Sequence, residues 1–285
     1  MARPAVEIRP MRREDIPAGL ELSRAAGWNQ TEADWSLLLE GESGGGLVAC
    51  SQGSLVGTVT VISYLDRFHW LGMMLVAAEY QRQGIGRALM TAALDLVGEP
   101  GTVFLDATPA GKKLYDSLGF QDVYSLARCL RQKRALPGRP DSSVTPVSTK
   151  ILPDLIQYDL AIFGTDRSKI LSGLFGRAPQ LAFYKEENGA ITGYCLGRGG
   201  RLYTQIGPVV ANCPETAQAL LLSALQNCER EEVIVDTTPQ QPVWNRFLDR
   251  LGFRELRPFT RMRLGNFEFP ETHRRQLAIA GPEMG

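Results

Sequence analysis

The chain has 285 residues, 44% of them hydrophobic, and 31 Lys plus Arg are balanced by 31 Asp plus Glu. That length allows two domains of ordinary size, and the lack of net charge or a dense basic run argues against a nucleic-acid partner. Five scattered cysteines without ligand spacing, and only two histidines, point away from a metal site and toward reduced thiols in the cytoplasm. The N-terminus has no apolar signal core. No stretch approaches the roughly twenty apolar residues that span a bilayer.

Residues 6–9 read as a first strand, residues 13–22 as the start of a helix, and residues 28–39 as a second helical region. Residues 46–51 and 55–64 read as antiparallel strands joined by the Gln52-Gly53 turn, and residues 68–76 continue the sheet. A short turn follows, with Gly84 and Gly86 at its tightest point, and from Ile85 apolar residues recur at helical spacing. Such a turn aims several backbone N–H groups from the positive end of a helix, where phosphate oxygens bind well. The glycines remove Cβ atoms from the path of a pyrophosphate, and Arg82 and Arg87 add positive charge. The turn reads as a cradle for a nucleotide-type cofactor.

Two other phosphate loops are excluded. A Walker loop ends in Gly-Lys-Ser/Thr, whereas Gly86 is followed by Arg87 and Ala88. A dinucleotide fingerprint has a third glycine where this chain has Leu89. Residues 102–106 then read as a buried strand. A short helix follows, closed by the glycine of Leu118-Gly119-Phe120, and residues 123–130 form another strand.

The Pro/Ser-rich residues 135–146 have linker chemistry and divide the chain into domains of residues 1–134 and 147–285. The halves echo each other. Leu105-Asp-Ala-Thr-Pro109 leading to Leu118-Gly119-Phe120 recurs as Val235-Asp-Thr-Thr-Pro239 leading to Leu251-Gly252-Phe253. This reads as a tandem duplication of one α/β unit. In the second copy the turn has no glycine. Pro214 lacks a backbone donor, Glu215 repels phosphate, and no tyrosine precedes the second Leu-Gly-Phe.

The pairing of Gln81-x-x-Gly84-x-Gly86 with Leu114-Tyr115-x-x-Leu118-Gly119-Phe120 resembles the GNAT acetyltransferase superfamily over about residues 6 to 131. The second half resembles the C-terminal domain of bacterial tandem-GNAT proteins. The resemblance implies an α/β (α+β) fold of two tandem domains, each a mixed, mostly antiparallel sheet flanked by helices. It also implies acetyl-CoA as cofactor. Met74, Leu75 and Val76 would pair with the pantetheine arm, and the Met74 N–H would stabilise the oxyanion. Gln81, Arg82, Gln83, Gly84, Ile85, Gly86 and Arg87 would hold the pyrophosphate. Tyr115 would act on the leaving thiolate. Thr108 stands where many relatives carry a pantetheine-binding asparagine, and Lys112 and Lys113 are placed for the 3′-phosphate.

The base is less defined. Trp70 occupies the place where many relatives carry a glutamate, and His69 alternates to the other face. A water chain, Asp66, Asp159 or Asp166 could serve instead. Trp28, Asn29 and Gln30, with Asp159 and Asp166 from the second copy, are the expected acceptor contacts. The expected function is direct acetyl transfer to a primary amine of a small molecule, by a monomer or homodimer. Acetylation of a protein lysine or N-terminus, and cofactor sensing without turnover, are the alternatives.

Overall fold

The computed structural model describes residues 6–40, 44–65, 67–98, 101–132, 135–136, 141–238 and 241–285. Contacts divide the chain into two units. Unit 1 takes residues up to Asp122 together with Met262–Phe267 and Met284, and unit 2 takes Val123–Arg261, Glu268–Glu283 and Gly285.

Unit 1 runs β1 (Val6–Pro10), α1 (Ile16–Ala25), α2 (Glu32–Leu39), β2 (Gly44–Ser51), β3 (Ser54–Tyr64), β4 (Phe68–Val76), α3 (Ile85–Val97), β5 (Val103–Ala107), α4 (Pro109–Asp116) and the first residues of β6 (Gln121–Gln132). β1 through β4 form an antiparallel meander. Gln52 and Gly53 take positive φ in the β2–β3 turn, the conformation that tight hairpins require. β4 and β5 are parallel. Apolar side chains of one sheet face, including Val59, Val61, Leu71, Val103 and Leu105, pack on Ile85, Leu89, Met90 and Ala93 of α3. Trp70 and Phe104 stack with ring centroids 5.9 Å apart.

The second helical region starts later than its apolar residues suggest. Thr31 and Asp34 form a capping box, with the Asp34 carboxylate accepting from the Thr31 N–H at 2.7 Å, and this fixes the first turn of α2 at Glu32. Trp28, Asn29 and Gln30 therefore lie in the α1–α2 connection.

Unit 2 repeats the plan with β7 (Val144–Pro146), α5 (Leu152–Phe163), α6 (Ser168–Arg177), β8 (Phe183–Glu187), β9 (Ala190–Gly199), β10 (Thr204–Ala211), α7 (Pro214–Gln226), β11 (Glu232–Thr237), α8 (Pro242–Leu251), most of β12 (Arg254–Leu264) and β13 (Gln276–Ala278). Residues 137–140 of the expected linker lie outside the described residues. Its last three residues are β7, which pairs with β8. Leu220, Leu221 and Ala224 of α7 pack with Trp244, Phe247 and Leu248 of α8 over Val209, Val233 and Val235.

The two units correspond element by element: β4 to β10, α3 to α7, β5 to β11, and α4 to α8. Each has a β-bulge at the same place. Between Thr60↔Gly72 and Thr58↔Leu75, β4 carries one residue more than β3. Between Ile206↔Gly197 and Val209↔Cys195, β10 carries one more than β9.

Candidate active site

The site of unit 1 is built where β4 leaves β5. The two strands pair through His69↔Val103 and Trp70↔Phe104, and among the described residues no pairing between them continues toward Val76. The backbone of Gly72–Val76 on the β5 side is thereby open to another chain-like partner, since strand N–H and C=O groups need hydrogen bonds. At the same place Met73 has φ 48°, a left-handed conformation that costs a non-glycine residue roughly 1–2 kcal/mol. The Thr58 hydroxyl donates to the Met73 carbonyl oxygen at 2.8 Å. This contact offsets part of that strain and fixes the direction of the following Met74 peptide. Met73 and Thr58 shape this edge, and the sequence motif did not reveal them.

The open edge leads to the N-terminus of α3. Gly84 is its N-cap, with φ 91° and no side-chain cap bond, and a Cβ placed there would meet nothing within 4 Å. The helix end is uncapped and sterically open, as an anion site requires. Gly86 also has a packing role. A Cβ there would lie 3.2 Å from Met74 Cε and 3.5 Å from Leu114 Cδ2, so this glycine lets α3 pack closely on β4 and α4. Arg82 also takes positive φ, at 59°. Gln81 donates to the Val76 carbonyl at 3.0 Å, and Gln83 to that of Glu79 at 2.9 Å, so both shape the loop from within.

Arg87 donates to Ser117 Oγ at 2.7 Å. Lys112 bridges Asp116 and Asp122, each at 2.8 Å. Thr108 is the N-cap of α4, its hydroxyl accepting from the Gly111 N–H at 3.3 Å. Tyr115 is buried in the unit 1 core beside Phe120. Burial pushes its phenol up to about 12, so it stays protonated at working pH and can act as a donor. Its ring lies close to Gly111, where a Cβ would sit 3.0 Å from Tyr115 Cε2.

Asn29 and Gln30 are buried. Gln30 Oε1 and Trp35 Nε1 are, among the described residues, buried polar atoms without a hydrogen-bond partner. His69 Nδ1 lies 2.9 Å from Ser63 Oγ on the neighbouring strand, and Asp66 lies outside the described residues.

Asp159 and Asp166 belong to unit 2. Asp159 is buried, its oxygens accepting from Arg167 at 2.7 and 2.8 Å and from the Tyr194 hydroxyl at 2.5 Å. Asp166 accepts from the N–H of Ser168, the first residue of α6, at 2.6 Å. Both carboxylates are engaged within unit 2. Among the described residues no cluster of His, Cys, Asp and Glu could hold a metal, and no helix is long and apolar enough to cross a membrane.

A splayed parallel strand pair, a bulge and an uncapped helix N-terminus, with a buried tyrosine on the following helix, make up the candidate site of unit 1, and comparison with known proteins makes the chain an acyltransferase. Residues 10–120 match the acetyltransferase (GNAT) family, and residues 155–278 match a second acetyltransferase (GNAT) domain. The chain belongs to the GNAT acetyltransferase superfamily and carries two such domains in tandem.

It is 25% identical over 258 residues to uncharacterized N-acetyltransferase YitH of Bacillus subtilis (strain 168), covering 87% of this chain and 88% of that one. It is 25% identical over 231 residues to holothin acyltransferase of Pseudoalteromonas sp. (strain SANK 73390), covering 81% and 78%. Among solved structures, a protein from Pyrococcus horikoshii described as an acetyltransferase aligns with a TM-score of 0.84 at 25% identity, over 98% of this chain and 96% of its own. A tandem GNAT protein of the clavulanic acid biosynthesis pathway shares the fold, with a TM-score of 0.66 at 15% identity, over 93% of this chain and all of its own.

Proposed function

We propose that unit 1 binds acetyl-CoA and transfers its acetyl group to the primary amine of a small molecule by direct attack. The observation that carries this reading is the open edge of β4 running into the uncapped N-terminus of α3. That edge suits a pantetheine arm, and the helix end suits a pyrophosphate. Met74, Leu75 and Val76 would bind the arm through main chain. The first-turn N–H groups from Ile85, Gly86 and Arg87, with Arg82, would face the pyrophosphate.

Bound there, the thioester supplies the acetyl group, which the amine nitrogen takes as the CoA thiolate leaves. The Met74 N–H, directed by the bulge, would stabilise the developing oxyanion, worth a few kcal/mol in comparable sites. Tyr115 would give the thiolate a hydrogen bond or proton. No cysteine lies in the motif region, which supports direct transfer over an acyl-enzyme.

Trp28, Asn29 and Gln30 are proposed to line the acceptor side. The unpartnered Gln30 Oε1 supports an acceptor that brings a hydrogen-bond donor, because a buried polar atom left unmatched costs ~1–3 kcal/mol. A relative named for acylating holothin supports a small-molecule acceptor over a protein. The free, scattered cysteines fit a reducing, cytoplasmic setting.

The test is thiol release from acetyl-CoA with a panel of small amines, peptides and no acceptor. Turnover with a small amine is expected. Turnover confined to peptides would move the acceptor to protein, and tight binding without any release would make the chain a sensor.

A further inference from the structure

In unit 2 the place equivalent to the open β4 edge is already filled. β10 and β11 pair in parallel through Thr204↔Val233 and Gln205↔Ile234, just as β4 and β5 do in unit 1, and then separate. Into the gap runs β13. Ala278 is paired with Val209 of β10 and also with Thr237 of β11, and Gln276 is paired with Val210. We infer that the pantetheine slot of unit 2 has become a peptide-strand site whose ligand is residues 276–280 of its own chain, and that this strand excludes acyl-CoA from the second domain.

The site is built for a backbone. The Thr237 hydroxyl donates to the Leu277 carbonyl at 2.9 Å, the Ile279 N–H donates to the Asp236 carbonyl at 3.0 Å, and Arg167 donates to Gln276 Oε1 at 3.3 Å. Residues 276–280 are all buried. Gly207 stands two residues beyond the last β10–β11 pair, as Gly72 does beyond the last β4–β5 pair. A Cβ on Gly207 would sit 2.1 Å from the Ile279 carbonyl oxygen, so only glycine admits the inserted chain this closely.

The helix end that would receive a pyrophosphate is equally closed to it. α7 begins with Pro214, and Glu215 puts an acid in its first turn. That carboxylate already complements the helix dipole. Splayed strands must satisfy their inner N–H and C=O groups, and strand addition is a general way to do so. Unit 1 leaves this role open, whereas unit 2 performs it internally.

The inference does not rest on the reading of unit 1. The test is hydrogen exchange on the full chain with and without acetyl-CoA, together with calorimetric stoichiometry. Amides in residues 276–280, 205–211 and 233–238 should exchange roughly a hundredfold or more slower than in an unstructured peptide. Cofactor should leave them unchanged, with no more than one equivalent bound. Ala278→Pro, which puts a ring without an N–H into the inserted strand where it pairs with both neighbours, should speed exchange in all three segments together without creating a second cofactor site. If that variant does not fold, the wild-type measurement decides.

Fast exchange of residues 276–280 in the wild type would overturn the inference. So would acceleration by acetyl-CoA with a second equivalent bound, or unchanged exchange in a folded Ala278→Pro. Failure of any acetyl-CoA to bind would instead count against the proposed function while leaving the strand protected.

Discussion

The Thr58 hydroxyl holds the Met73 carbonyl oxygen at 2.8 Å, tying a residue with no catalytic chemistry of its own to the bulge that aims the Met74 peptide. Thr58→Val keeps the shape and removes the donor, leaving a buried carbonyl unmatched at ~1–3 kcal/mol. The variant should lose roughly three- to thirtyfold in kcat, with a smaller change in acetyl-CoA affinity. Steady-state kinetics beside calorimetric binding would check this. Unchanged kcat at reduced thermal stability would make the contact purely structural.

Gly84 and Gly86 should respond differently. Gly84→Ala forces a Cβ into positive φ at roughly 1–2 kcal/mol, but into open space. Cofactor affinity should fall with a modest loss of thermal stability. Gly86→Val presses on Met74 and Leu114, so it should weaken binding about tenfold or more and also destabilise the apo protein. Equal, purely binding effects at both positions would contradict the packing role of Gly86.

Tyr115→Phe should lower kcat roughly ten- to a thousandfold while changing the acetyl-CoA KM less. Because burial raises the phenol to about 12, Tyr115 stays protonated below that pH and should contribute no basic limb to the pH–rate profile between pH 7 and 10. A limb in that range that vanishes in the phenylalanine variant would show an ionising tyrosine instead.

Asp159→Asn breaks a buried pair with Arg167 and leaves the guanidinium uncompensated, a loss typically of ~3–5 kcal/mol. Thermal unfolding should show a large destabilisation, with acetyl-CoA affinity preserved in the folded fraction. A raised acceptor KM at unchanged stability would place Asp159 in acceptor binding.

His273 stacks on Phe269 at 4.0 Å, and its imidazole is lowered to about 3 by burial, then by Arg261 and Arg167. The folded state therefore favours the neutral ring. Its stabilising contribution is present above the unfolded value near 6.5 and is lost as pH falls toward 3. Melting temperatures between pH 7.5 and 4.5 should drop more steeply in the wild type than in His273→Gln. Parallel slopes would assign the acid sensitivity to carboxylates.

Local chemistry made much of this protein readable in its sequence. Alternating and helical apolar spacing placed the strands and helices, and the glycine-marked turn, the Tyr115 helix and the repeated Leu-Gly-Phe endings specified two GNAT-like copies. These signals come from residues close together in the chain. Strand partnership between distant segments leaves no such signal. The separation of β4 from β5, the strained Met73 held by Thr58, the packing of Gly86 beside Met74 and Leu114, and the Asp159–Arg167 pair were decided by tertiary packing. So was β13, whose three residues are too few to show a period. Their conformation follows from the unpaired backbone of β10 and β11, which the folded second unit alone brings within reach.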